Sequence, residues 1–222
     1  MDGQFDRLPE VANDLVRRRV AVIFASGGVV SAIAAKAATS TIPIVFANGS
    51  DPAKFGLVAG FNRPGGNVTG VSFLAIALEQ KRLELLREVI PKGSAIAVLL
   101  NPKNPNADAQ LSDVQAGARI LNQPIVVLHA ATDQDLEAAL AAILERQVSA
   151  FSVSADSFLY SRQNKLQAFA ELHRLPTIST DRPIALMGGL MSYGSDLGDA
   201  FRHAGVYTGR ILKGEKPADL LS

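Results

Sequence analysis

The stretch Val20–Pro52, VAVIFASGGVVSAIAAKAATSTIPIVFANGSDP, decides the fold. It opens on an apolar run, turns through Ser26, Gly27 and Gly28, continues as a short helix, and returns to a second apolar run ending in Asn48, Gly49, Ser50 and Asp51. Strand, helix and strand in that order make the unit of a parallel sheet. The β-branched, nearly unbroken hydrophobicity of both runs is that of strands covered on both faces. Both runs end in polar residues, and ligands of such sheets bind beyond the carboxyl ends of the strands.

Working outward, similar runs recur as NVTGVSFL, AIAVLLN, PIVVLHA, VSAFSVSA, LPTIST and GLMSYG. Helical patterns lie between them. Leu111, Val114, Ala118 and Leu121 share one helical face, as do Leu136, Leu140, Ile143 and Leu144, and near the C-terminus Leu197, Phe201, Ala204, Thr208 and Ile211. Asn104 before Pro105 reads as an N-cap with a first-turn proline, and Thr132 with Asp135 as a capping box. The alternation βα at a spacing of roughly 22 to 29 residues predicts an α/β fold of parallel sheets flanked by helices.

Two sheets are expected. The connector Gly70–Pro91 begins a long charged helix, and AIAVLLNPKNPN then starts a fresh βα series. The reading places a first lobe over 1–74 plus 191–222 and a second over 75–190, with the crossing near Leu74 and the return in Gly188–Ser192. Two lobes sharing crossing strands leave a cleft.

Composition narrows the chemistry. The chain has 222 residues, 48% of them hydrophobic, a formal net charge of +1 and no cysteine. Thiolate catalysis, disulfides and cysteine-held metals are thereby excluded. Lys and Arg are dispersed and not interleaved with aromatics, so no nucleic-acid partner is expected. No run reaches the ~20 apolar residues of a membrane span, and MDGQFDRLPE has neither the basic start nor the apolar run of a signal peptide. His129, His173 and His203 show no metal-ligand spacing, the glycines match no nucleotide fingerprint, and no nucleophile sits beside a base. Neither cofactor nor metal is expected, and no catalysis.

Taken together, GQFDRLPEVANDLVRRRVAVIFASG, IPIVFANGSDPAKFGLVAGFNRPGGNVTGVSFL, KRLELLREVIPK, AVLLNPKNPNA and GGLMSYGSDLGDAFRHAGVYTGRILKGEKPADL resemble the ABC-transporter substrate-binding proteins of the tryptophan/tyrosine-binding type. The resemblance implies a two-lobed type I periplasmic binding protein that closes on a small ligand, often an amino acid, and delivers it to a membrane permease. It implies a periplasmic or membrane-anchored location. Members usually begin with an export signal and a strand, helix and strand before GQFDRLP, and continue past KPADL, so truncation at both ends is the expectation. An incomplete first lobe with an open sheet edge invites self-association. Two other classes share the architecture: a small-molecule-sensing regulator, which needs a helix-turn-helix that does not precede Gly3, and a two-domain racemase or isomerase, whose common form uses a cysteine pair absent here.

The candidate ligand contacts are polar strand ends. Ser26, Gly27 and Gly28 open a helix, where free N–H groups favour a carboxylate; a serine cap and a tight turn are the alternative. Asn48 and Gly49 end the next strand, and an Asn amide both donates and accepts toward a zwitterion. Asp51 reads as a turn former. Asn101 opens NPKNPN, with Asn104 as the cap. Asp156 and Ser157 close VSAFSVSA; that carboxylate suits a ligand ammonium, which is what the resemblance implies at this position, and an N-cap is the alternative. Tyr160 and Phe158 beyond it suit stacking or packing. Thr180 and Asp181 follow LPTIST where relatives often carry aromatics. Ser192, Tyr193 and Gly194 mark the return and suit hinge or cleft roles.

Overall fold

The computed structural model describes residues 5–60, 64–73, 78–180, 182–186 and 188–220. It separates into two compact units, Met1–Leu74 with Asp196–Ser222, and Ala75–Ser195. Each expected apolar run supplies a strand. Leu74 and Asp181, the expected crossing point and a site candidate, lie outside the described residues.

The first unit holds helices α1 (Leu8–Arg17), α2 (Val29–Ala38) and α9 (Leu197–Leu212) around a parallel sheet of β1 (Ile23–Ser26), β2 (Ile44–Asn48) and β3 (Val68–Ser72), in the order β1-β2-β3. Strand β2 is central, and its alternate side chains serve opposite faces. Ile44 and Phe46 pack with Val29, Ala32 and Ala35 of α2, whereas Val45 and Ala47 pack with Ala204 and Ile211 of α9. Burial on both sides is the reason every residue of β2 is buried. Strand β1 alternates instead: Ile23 and Ala25 face inward, while Phe24 is exposed and meets Phe201 of α9 edge to face at 6.2 Å between ring centroids.

The second unit holds a five-stranded parallel sheet in the order β5-β4-β6-β7-β8. Its strands are β4 (Ile96–Leu100), β5 (Ile125–His129), β6 (Ala150–Val153), β7 (Thr177–Ser179) and β8 (Met191–Ser192). One face carries α3 (Glu79–Arg87) and α4 (Ala107–Leu121), with Leu83, Leu86, Val114 and Ala118 against Ile96, Val98, Ala150 and Ile178. The other carries α5 (Asp133–Glu145), α6 (Ser157–Ser161) and α7 (Gln163–His173), with Leu136, Leu140, Phe158 and Leu166 among the residues against Ala97, Leu99, Phe151 and Val153. Helix α8 (Arg182–Leu186) links β7 to β8.

Several local expectations are corrected. Met191 and Ser192 pair with Ile178 and Ser179, so GLMSYG is an edge strand of the second sheet and the chain leaves that unit only after Ser195. The long charged helix is only nine residues, and it buries a charged pair. Asn104 does not cap α4, whose N-cap is Asn106; its side chain crosses to the β6–α6 turn instead. The buried face of α9 runs through Ala200, Ala204 and Ile211, which leaves Phe201 43% exposed, and Leu144 of α5 is likewise exposed. Thr132 does cap α5, accepting from the Asp135 N–H at 3.1 Å while Asp135 accepts from Ala131.

Candidate functional site

The polar strand ends of the second unit converge on one turn, Ala155–Asp156, between β6 and α6. Asp156 caps α6: its Oδ1 accepts from the Leu159 N–H at 3.0 Å and from Asn101 Nδ2 at 3.1 Å, and its Oδ2 from Asn104 Nδ2 at 2.9 Å. The two asparagines are oriented by their own turns, since Asn101 Oδ1 accepts from Lys103 N and Asn104 Oδ1 from Asn106 N, both at 2.9 Å. The prolines of NPKNPN stiffen the loop that carries them. A carboxylate offers about four acceptor positions, and three are filled; one remains, on Oδ2.

The preceding peptide is braced from both sides. The Ala155 carbonyl accepts from Gln110 Nε2 of α4 at 2.7 Å and from Asn104 Nδ2 at 3.1 Å. Near it, at the start of α3, lies the Glu79 carboxylate. Glu79 and Arg82 are fully buried, with Arg82 Nη2 2.8 Å from Glu79 Oε1 in an ion-pair contact and Arg82 Nε 3.3 Å from Oε2. Burial outweighs the neighbouring guanidinium and lifts the Glu79 carboxyl above the ordinary glutamate range. Arg82 Nη1 donates at 3.0 Å to the Tyr193 carbonyl, just past β8. The buried pair thereby ties α3 to the residue that follows β8.

Among the remaining candidates of this unit, Ser157 is exposed on the first turn of α6, and Thr180 is half-buried at the end of β7. Ser192 and Tyr193 belong with them: the Tyr193 N–H donates to the Ser179 carbonyl at 3.0 Å. Gly194 follows because the Thr180 carbonyl passes so close that a Cβ there would lie 2.0 Å from its oxygen. Phe158 is core, under the Arg162 guanidinium at 5.2 Å, and Tyr160 is 42% exposed.

In the first unit, Gly27 and Gly28 have φ of 87° and 113°, a turn only glycine makes without strain, and Gly28 precedes α2 with no side chain capping that helix. Ser31 Oγ lies 2.9 Å from the Ser26 carbonyl and 2.8 Å from that of Gly28, so the hydroxyl steadying this turn belongs to Ser31 and not Ser26. Asn48 is buried; its Oδ1 accepts from Ser50 N at 3.0 Å and its Nδ2 has no hydrogen-bond partner among the described residues. Gly49 lies within that turn, which Ser72 Oγ closes by donating to the Ser50 carbonyl at 2.7 Å. Asp51 takes the Ala53 and Lys54 N–H groups.

Glu79, Arg82, Gln110 and Ser154 escaped the reading of strand ends. For the first two a signal existed: they share a helical face with the apolar Leu83 and Leu86. Among the described residues no cluster of His, Cys, Asp and Glu is suited to a metal ion, and no helix is long and apolar enough to cross a membrane.

The turn presents donors and acceptors held from several elements, and similarity to other proteins identifies the family. A protein of Clostridioides difficile named tyrosine-binding protein is 28% identical over 191 residues, which are 86% of this chain and 54% of that one. The chain thus spans about half the length of this curated relative. The structure of a conserved domain protein from Vibrio cholerae superposes with a TM-score of 0.85 at 26% identity, covering 98% of this chain and 72% of that one. That of an ABC domain from Streptococcus pneumonia in complex with L-Trp superposes at 0.82 and 23% identity, covering 98% and 74%. These likenesses identify the type I periplasmic binding protein fold. The family model for ABC transporter substrate binding proteins matches residues 2–221, and the chain belongs to that family.

Proposed function

We propose that the protein is the solute-binding component of an ABC import system, capturing a small polar organic ligand, an amino acid or a related carboxylate. The observation that carries this reading is the braced Ala155–Asp156 turn at the carboxyl ends of the second sheet. It holds an anionic group in place with one acceptor position to spare, which suits an ammonium. The name of the 28% identical relative supports an amino acid as the ligand class. In the first unit the uncapped start of α2 beyond Gly27 and Gly28 suits a carboxylate, and Asn48 Nδ2 adds a buried donor.

In this reading the partner is a membrane permease, the location is periplasmic or membrane-anchored, and the bound ligand leaves unchanged. Among the described residues strand β1 has one sheet neighbour, β2, so its other edge suits pairing with a second copy. Sedimentation tests that last point, and a strictly monomeric species refutes it.

A thermal melt with a panel of amino acids, aromatic acids and small carboxylates tests the receptor reading. A ligand at 100 times its dissociation constant raises stability by ~2.7 kcal/mol. Asp156→Asn should weaken amino acids more than the matching deaminated acids. Chemical conversion of a bound compound, or a melt that no member of the panel moves, contradicts the proposal.

A further inference from the structure

We infer that a recess behind Asp156 in the second unit is a subsite for an uncharged hydroxyl group of the ligand, an inference that rests on the receptor reading above. The recess opens at the carboxyl ends of β6 and β7. Its walls combine apolar side chains, among them Leu159, Leu166 and Ile184, with Ser154, Gln163 and Gln167. Tyr160 is the lining residue most open to solvent.

Four polar atoms on these walls are buried with no hydrogen-bond partner among the described residues: Ser154 Oγ, Gln163 Oε1, and both Oε1 and Nε2 of Gln167. Ser154 is 2% exposed and Gln167 is 6% exposed. Buried polar groups are paired in the great majority of cases, and four in one recess point to an occupant that pairs them. Gly189 has no Cβ, which admits the Gln167 amide where it stands: a Cβ there would lie 2.8 Å from Oε1.

The chemistry of the occupant follows from that of the walls. They offer donors, Gln167 Nε2 and the Ser154 hydroxyl, together with the acceptors Gln163 Oε1 and Gln167 Oε1. A hydroxyl donates one bond and accepts two, so it pairs three of the four atoms, both donors among them. Among the described residues of the lining Asp156 alone is charged, and most of its acceptor capacity is spent. A carboxylate would meet that negative charge without a cation, and an ammonium would leave Gln167 Nε2 unpaired. The space is narrow, about that of one water molecule, which fits a single oxygen and excludes a bulkier polar group.

The test uses ligand pairs differing only by a hydroxyl: tyrosine and phenylalanine, threonine and 2-aminobutyrate, 4-hydroxybenzoate and benzoate. Dissociation constants are measured by calorimetry for the full chain, Gln167→Leu and Ser154→Ala. The expected result is a preference of about tenfold or more for the hydroxylated member of one pair. In each variant that preference falls toward one, through loss of affinity for the hydroxylated compound while its partner binds as before. Equal binding of both members, or variants that weaken both alike, overturns the subsite and leaves the receptor standing; the recess then holds a structural water only. Failure of every compound, with a cooperative melt that none moves, overturns both.

Discussion

Replacing Arg82 by methionine removes the cation beside a carboxylate that is itself 1% exposed. Truncating one partner of a buried ion pair costs about 3–5 kcal/mol, because the other charge stays desolvated. Here the cost depends on pH, and the sign follows from Glu79. Burial raises its folded carboxyl above the ordinary value, so the folded state holds this proton more tightly than the unfolded chain. Its contribution is fully present below the unfolded value of about 4.3 and is lost as pH rises through the raised folded value. Without Arg82 the folded value rises further. Arg82→Met should therefore cost the full amount near neutral pH and much less near pH ~4. Urea denaturation reads it: the chain has no tryptophan, and Tyr160 and Tyr193 report on the unit that contains the pair. Glu79→Gln in the same background should restore most of the loss at neutral pH, since it removes the stranded charge. Loss of the Tyr193 carbonyl's partner should also speed amide exchange around β8. A cost below about 1 kcal/mol at neutral pH, or one equal at both pH values, refutes the buried pair.

Asp156→Ala removes an N-cap, leaves the Asn101 amide without its acceptor and the Asn104 amide with the Ala155 carbonyl alone, for an expected loss of about 2–3 kcal/mol by chemical denaturation, against about 1 for Thr132→Ala, which loses only its cap. Gly194→Ala forces a methyl against the Thr180 carbonyl and should destabilise the second unit by about 1–3 kcal/mol, with a shifted urea midpoint and unchanged slope. Phe46→Ala, at the centre of the first sheet, should cost about 3–5 kcal/mol and melt that unit first, seen as early protease cutting within Met1–Leu74.

The eight strands were legible because burial on both faces leaves no room for polar residues, and runs such as IPIVFAN can be little else. Edges were harder. In β1, Phe24 satisfies the apolar pattern and yet lies half-open to solvent against Phe201, which a periodicity in one dimension does not distinguish from core. The face of α9 differs from the periodic pattern for the same reason: Ala200, Ala204 and Ile211 are its buried residues, while the larger Phe201, which shares a face with Ala204 in that pattern, is 43% exposed. In LEQKRLELLRE the density of charge reads as a solvated surface, although Glu79 and Arg82 neutralise one another inside. An asparagine before proline usually serves the next helix, whereas Asn104 serves a turn about fifty residues away, a relation no local spacing encodes.

The candidate sites of the two units differ in how their geometry is fixed. Around Asn48 the bonds are made within the turn or by the adjacent strand end, through Ser50 N and Ser72 Oγ. Around Asp156 they come from two separate elements, Gln110 of α4 and the two asparagines after β4. Side chains held from several directions have lost their conformational freedom on folding, so a ligand does not have to order them on binding. A preformed anionic turn also cannot relax around a poorly matched group, and rejection of the wrong ligand follows from the same bonds that hold the right one. Loosening the brace without touching a ligand contact, as Gln110→Ala does, should therefore narrow the difference between good and poor ligands before it abolishes binding.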